Sequence, residues 1–366
     1  MTVVEAFNLA DVIRDALRNS VKERSHINIL IAGRTGVGKS TLINSVFQGN
    51  FATTGQGRPV TQNTREWKKE GVPLSIFDTR GLEMAAFSET LSELQTIVKD
   101  RANNRDQKQH IHAAWICIAE DFRRVEPAEE ELVKMLSEYM PVIIVITKAR
   151  SDSGFRSKVQ QILWTAKNVV RVRAIEEKLD EGIILPAMGL HDLVEVTMQT
   201  VPEGLKRAFV AAQKVDIELK KKQSHIIVAG SALSAGGIAA APIPFSDVMA
   251  IVPIQIGMLA GISATFGLSI DESFLSTLIG GLIIGAGEMF TVRTIASNLL
   301  KFLPGVGSMA GGFIAAGTAS ALTTAFGEVY IATLEMLFTQ SNGEPPTPEE
   351  VVDTFRKKYS EITIIK

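Results

Sequence analysis

The feature that most restricts this chain is an eight-residue run, GRTGVGKS at Gly33–Ser40, directly behind the apolar run INILIA at Ile27–Ala32. Glycines at Gly33, Gly36 and Gly38 permit a tight turn in which successive backbone N–H groups point inward at one centre. Such a nest, followed by a helix N-terminus carrying roughly half a positive charge, attracts anions. The run fits G-x-x-x-x-G-K-[ST]. In that pattern Lys39 reaches the β- and γ-phosphates of a nucleotide, and the Ser40 hydroxyl supplies a Mg²⁺ ligand. Thr35, Val37 and Thr41 lie in the same cradle and are candidate nucleotide contacts.

The surrounding pattern predicts an α/β fold, a parallel sheet with helices on both faces. Leu74–Phe77, Ala113–Ala119 and Val142–Thr147 are short apolar, β-branched runs, as expected of strands buried on both faces. Thr90–Asp100 and Glu129–Tyr139 have helical apolar spacing between them, which implies right-handed crossovers. Asp78 closes one strand 38 residues after Ser40 and opens a D-x-x-G run ending at Gly81. Asp78 is a candidate to hold Mg²⁺ through water, the Gly81 N–H a candidate γ-phosphate sensor, and Arg80 a candidate cationic stabiliser.

Composition excludes several alternatives. One cysteine, Cys117, permits neither an internal disulfide framework nor a multi-cysteine zinc site, and it reads as a core residue. His110 and His112 have no acidic or thiol partner at metal spacing and read as structural. A net charge of −2 and the absence of an RNA-binding signature predict no nucleic-acid partner. The opening residues, MTVVEAFNLADVIRD, carry acids where a signal peptide needs a basic head, which predicts a cytoplasmic chain.

GRTGVGKSTLIN followed by FDTRGLE resembles the Era/TrmE/septin branch of the P-loop GTPases. The resemblance implies bound GTP or GDP with Mg²⁺, and a switch segment at Pro59–Trp67. Within that segment Thr64 maps best as the catalytic and Mg²⁺-contacting threonine, with Thr61 as runner-up. It also implies a base-reading N/T-K-x-D run. Thr147 and Lys148 fit that run, but Arg150 stands in the Asp position, so Asp152 is the candidate substitute. PAMGL at Pro186–Leu190 is similar to a loop that closes over the base, with Ala187 and Met188 as its contacts. Where Ras-like enzymes carry a catalytic Gln after D-x-x-G, this chain has Leu82, which implies slow intrinsic turnover.

The C-terminal part has a different composition. Residues 1–222 hold 32 basic and 29 acidic side chains, whereas residues 226–338 hold eight charged residues in 113 positions. Uncharged runs such as Val248–Ile270 are long enough to span a bilayer, which takes ~20 apolar residues. Pro242, Pro244 and Pro253 interrupt the runs, and small residues recur at Gly257/Gly261, Gly281/Gly285 and Gly307/Gly311. Acids at Asp247, Glu288, Glu328 and Glu335 are costly in lipid unless paired. The composition is therefore that of a membrane-associating region or of a tight soluble bundle. APIPFSDVMAIVPIQIGMLAGISATFGL and the later LPGVGSMAGGFIAAGTASALTTAFGEVYI resemble the YcjF-type domain of unknown function.

The expected organisation is an N-terminal helix (1–24), the nucleotide domain (25–203) and a connecting helix (204–225). An all-α, Gly/Ala-rich domain (226–340) and a linker with a terminal helix (341–366) follow. Two functional accounts fit. In one, a slow GTPase switches an apolar domain that engages a membrane surface, with a homodimer through the nucleotide domain as a candidate assembly. In the other, a weakly hydrolysing scaffold carries a soluble interaction bundle.

Overall fold

The computed structural model describes residues 9–22, 25–49, 56–61, 64–69, 71–79, 87–239, 247–268, 271–284 and 313–364. They fall into two compact units, one of Ser25–Asp216 and one of Met1–Arg24 with Ile217–Lys366.

The first unit is built on a seven-stranded sheet of order β2-β3-β4-β1-β5-β6-β7. Its strands are β1 (Ile27–Ala32), β2 (Gln56–Pro59), β3 (Thr64–Lys68), β4 (Leu74–Thr79), β5 (Ala113–Ala119), β6 (Val142–Thr147) and β7 (Asn168–Arg171). Strands β4, β1, β5, β6 and β7 run parallel, while β2 and β3 add antiparallel at one edge. Every residue of β1, β4, β5 and β6 is buried, because helices cover both faces and a one-sided alternation would bring polar groups inside.

Helices α2 (Lys39–Val46), α3 (Phe87–Ala102), α4 (Pro127–Ser137), α5 (Phe155–Ile162), α6 (Leu190–Thr200) and α7 (Glu203–Ala212) make the two outer layers. On one face Leu94, Val98, Leu132 and Leu136 pack on Ala114, Ile116 and Ile118. On the other, Phe47 stacks on Trp115 with ring centroids 5.5 Å apart and meets Phe209 edge-on at 6.1 Å. The Trp115 indole donates to Thr197 Oγ1 at 3.2 Å, so the largest buried ring is also hydrogen-bonded.

The connecting helix expected over 204–225 is two helices, α7 and α8 (Ile217–Ala239). Buried Gln213 takes an extended backbone and stops α7. Its side chain then satisfies the turn, accepting from Asp216 N at 2.7 Å and donating to Asp216 O at 2.8 Å. Helix propensity across the segment loses to this buried, fully bonded corner. α7 therefore belongs to the sheet unit, which ends at Asp216.

The second unit is helical: α1 (Leu9–Lys22), α8, α9 (Asp247–Phe266), α10 (Glu272–Ile284), α11 (Phe313–Gln340) and α12 (Pro348–Ile364). Ile13 of α1 joins the same core as Phe266, Leu275, Tyr330, Phe338 and Phe355, so the N-terminal helix is part of this unit. α12 opens on a capping box in which Thr347 N donates to Glu350 at 2.8 Å and Thr347 Oγ1 accepts Glu350 N at 3.3 Å. Helix α9 runs through Pro253 rather than ending there; a proline near a helix start removes a single backbone hydrogen bond. Of the expected small residues, Gly261 approaches Ile227; Gly327, which the spacing did not single out, lies where an added Cβ would be 2.5 Å from Val228. Pro242, Pro244, Glu288, Gly285, Gly307 and Gly311 lie outside the described residues.

The buried Lys220 donates to the Phe266 carbonyl at 3.2 Å at the end of α9, and burial pushes its ammonium well below the usual lysine range. Among the described acids of the apolar region, Glu335 pairs with Lys221 at 2.7 Å, Glu328 with His225 at 3.0 Å and Glu272 with Arg14 at 3.6 Å.

Candidate nucleotide site

The phosphate end of the site is a backbone construction. Gly33, Gly36 and Gly38 all have positive φ (149°, 77° and 97°), and Gly38 stands at the N-cap of α2. At Gly33 a Cβ would sit 2.4 Å from the Cys117 carbonyl oxygen, so close approach to β5 excludes any side chain. Lys39 Nζ donates to the carbonyls of Gly33 (2.6 Å) and Arg34 (3.0 Å), which places the ammonium across the mouth of the loop. Val37 is buried, whereas Thr35, Ser40 and Thr41 face outward at the open side. Thr147 Oγ1 at the end of β6 donates to the Val37 carbonyl at 2.6 Å and so ties the loop to the sheet.

Asp78 reaches the same end of the sheet because β4 lies beside β1, with Asp78 opposite Ile31. It is 7% exposed. Thr64 differs from the expectation for a switch threonine. It is a strand residue of β3, paired with Thr79 and 1% exposed. Thr61 occupies the turn before it, where its hydroxyl accepts the Thr64 N–H at 3.1 Å. The antiparallel pairing of β3 with β4 takes Thr64 into the ladder and leaves Thr61 on the loop. Arg80, Gly81 and Leu82 lie outside the described residues.

The other end is a cavity of about 320 Å³. It starts at Gly38 and Thr41, passes Thr147 and Lys148, and is closed by Asp121, Arg150 and the Arg173–Glu177 segment. Lys148 has a positive φ of 53°. The floor is braced by Glu120, 1% exposed, which accepts the N–H groups of Arg150 (2.5 Å) and Ser151 (2.9 Å). Its other oxygen pairs with Arg171 at 2.7 Å. A carboxylate with two amide donors and a guanidinium is fully compensated, which is what its burial requires.

Neither Asp152 nor the Ala187–Met188 pair lines this cavity. The Asp152 carboxylate accepts the Arg156 N–H at 2.8 Å at the start of α5 and lies 3.7 Å from Arg171. Met188 exchanges backbone hydrogen bonds with Arg173 at 2.9 and 3.0 Å, so PAMGL buttresses the closing loop from behind. The segment that reaches the cavity is the one leaving β7, since β7 is the parallel neighbour of β6 and its C-terminal end opens beside Lys148.

Residues 28–148 match the model of the 50S ribosome-binding GTPase family, and residues 207–361 match a domain of unknown function, DUF697. The chain carries a P-loop GTPase domain followed by a DUF697 domain. It is 28% identical over 229 residues to the tRNA modification GTPase MnmE of Paracidovorax citrulli, covering 57% of this chain and 45% of that protein. It is 33% identical over 104 residues to magnetosome membrane protein 22 of Magnetospirillum gryphiswaldense, covering 27% and 51%. Toc33 from Arabidopsis thaliana, solved with Mg²⁺ and GMPPNP, aligns over 54% of this chain and 96% of that one, at 17% identity and a TM-score of 0.33. The chain spans under half the length of the curated GTPases it matches first.

A P-loop GTPase domain binds GTP and GDP, which makes the glycine loop the candidate phosphate end of the cleft and the cavity its candidate base end. In this GTPase domain the sequence pointed directly to the loop whose three glycines take positive φ. It missed Glu120, the Arg173–Glu177 wall and the Gln213 corner. The adjacent acids Glu176 and Glu177, six residues past the end of the β7 apolar run, were the available signal.

Proposed function

We propose that the chain binds GTP and GDP together with Mg²⁺, hydrolyses GTP slowly, and acts as a nucleotide-dependent switch on its own helical unit. The observation that carries this reading is the loop of Gly33, Gly36 and Gly38 at positive φ around Lys39, opening into a side cavity at Lys148. Ser40 and Asp78 offer hard oxygen donors at one end of the sheet, a donor set that suits Mg²⁺, with Thr61 or Thr64 as the added switch ligand. Mg²⁺, when bound, neutralises charge on the β- and γ-phosphates. Lys39 does the same from the protein side, and Arg80 and Gly81 are the candidates for sensing the γ-phosphate. Leu82 in place of a water-orienting Gln supports a low intrinsic rate.

A route for switching runs through the helix that follows the P-loop. The end of α2 is bonded to the end of α7, Gln48 N to Ala212 O at 3.1 Å and Lys214 N to Val46 O at 2.9 Å. The chain leaves the sheet unit two residues beyond Lys214. A change at the phosphates therefore has a short path, through these hydrogen bonds, to the residues that lead into α8, and it shifts the helical unit only if nucleotide affinity differs between two states. For the helical unit we propose reversible association with a membrane surface from the cytoplasmic side. By length and composition one helix among the described residues, Ala319–Gln340, could cross a membrane, although more than half of it is buried. Homodimerisation through the GTPase domain is proposed as the assembled form.

Single-turnover GTP hydrolysis of the full chain, with and without vesicles containing anionic lipid, tests this reading. A slow rate that vesicles raise at least about tenfold is expected, with Lys39→Ala inactive in both conditions. A rate equal to that of free nucleotide in both conditions would sink the switch. The second reading, a nucleotide-bound scaffold with a soluble bundle, would then stand on Leu82 and Arg150.

A further inference from the structure

The position that carries an aspartate in guanine-reading loops holds Arg150, and Asp152 is turned to the start of α5. The cavity nevertheless contains carboxylates. Guanine presents two N–H donors on one edge, at N1 and at the exocyclic amine; an ionised carboxylate is acceptor-only and matches that pair. Three acids line the cavity: Asp121, Glu176 and Glu177. Of these, Glu177 alone is gripped by a fork among the hydrogen bonds seen. Arg150 Nε donates to its Oε2 at 2.9 Å and Arg150 Nη2 to its Oε1. Asp121 lies 4.0 Å from the same guanidinium, with its side chain 47% exposed against 29% for Glu177.

We infer that Glu177 is the residue that reads the base, and that Arg150 holds it in place. This rests on the guanine-nucleotide reading above. A bidentate guanidinium fixes the plane of a carboxylate and uses its two converging lone pairs, so when the base binds one Arg150 hydrogen bond opens while the other keeps the carboxylate in place. Arg150 itself is anchored, since its backbone N–H is bonded to the buried Glu120. The carboxylate missing from the loop after β6 is thus supplied by the short strand β8 (Glu177–Lys178), whose hairpin partner is β9 (Ile184–Leu185). The arginine that displaces the aspartate recruits its replacement. The Arg150 fork also keeps Glu177 ionised, because it holds the carboxyl below the usual range.

The test is calorimetric titration of the full chain with GDP, ADP and xanthosine diphosphate. Xanthine carries an acceptor carbonyl where guanine carries the amine, so an amide side chain should prefer it to guanine. In the wild type, GDP should bind and ADP and xanthosine diphosphate should bind at least about a hundredfold more weakly. Glu177→Gln, nearly isosteric and on a partly exposed strand, should lower GDP affinity by about tenfold or more and raise that for xanthosine diphosphate. Asp152→Asn and Asp121→Asn should leave the ranking as it is. If either Asn variant makes the switch, or if Glu177→Gln changes neither affinity, Glu177 is not the reader while the nucleotide reading stands. If the wild type binds none of the three, both readings fall.

Discussion

The two ends of one cleft are built by different means. At the phosphate end the working groups come from eight consecutive residues, and their geometry is set by backbone conformation at three glycines. At the base end four separate stretches meet, from the loops after β5, β6 and β7 and from the start of α2. There the geometry rests on side-chain ion pairs: Glu120 with Arg171 inside, Arg150 with Glu177 at the rim. A backbone cradle tolerates almost no change at its tight glycine, whereas a side-chain frame can move its functional carboxylate from one strand to another and keep the cavity.

The largest expected effect is at Gly33. Gly33→Ala puts a methyl into the Cys117 carbonyl and should cost about 3 kcal/mol or more of stability, with loss of nucleotide binding. Gly36→Ala has open space around the new Cβ and strains only the backbone, about 1 kcal/mol. Urea unfolding of the two variants checks this. Equal losses would mean that close packing against β5 does not set the loop.

Next in size is Glu120→Gln. It removes the closer and more buried of the two carboxylates beside Arg171, leaving Asp152 at 3.7 Å, and should destabilise the sheet unit by about 2 kcal/mol. GTP should still bind in the folded fraction, because the phosphate cradle does not touch Glu120. Loss of binding at full folding would erase the distinction between the two ends.

The smallest effect is a null one with pH. Arg150 holds the Glu177 carboxyl below the usual range, so the pair's contribution is complete at neutral pH and is lost only as pH falls through that lowered value. Selectivity for GDP over ADP should therefore stay flat between about pH 5.5 and pH 8. A slope in that window would assign the reading to a group that titrates there.

Legibility followed the same division. Gly33–Ser40 behind a buried strand could be read because sequence neighbours are also the chemical neighbours. Asp152 and the Ala187–Met188 pair were drawn from the family resemblance and do not line the cavity; Asp152 accepts the Arg156 N–H, and Met188 is bonded to Arg173. Thr64 was read as the threonine of a switch segment and stands in a strand, because β3 pairs with β4 through it. In the helical unit the apolar composition announced helices. It did not announce that α1, more than 190 residues upstream of α8, closes the same core through Ile13.

Sequence alone determined the phosphate cradle, the buried strands that present it and the helical character of the C-terminal unit, since each depends on local conformation or on hydrophobic period. Only the tertiary structure decided which acids line the cavity, where α7 stops, and which unit owns the N-terminal helix. Those outcomes turn on charge pairing and burial between residues far apart in the chain. Such pairing leaves no periodic trace in the order of the residues.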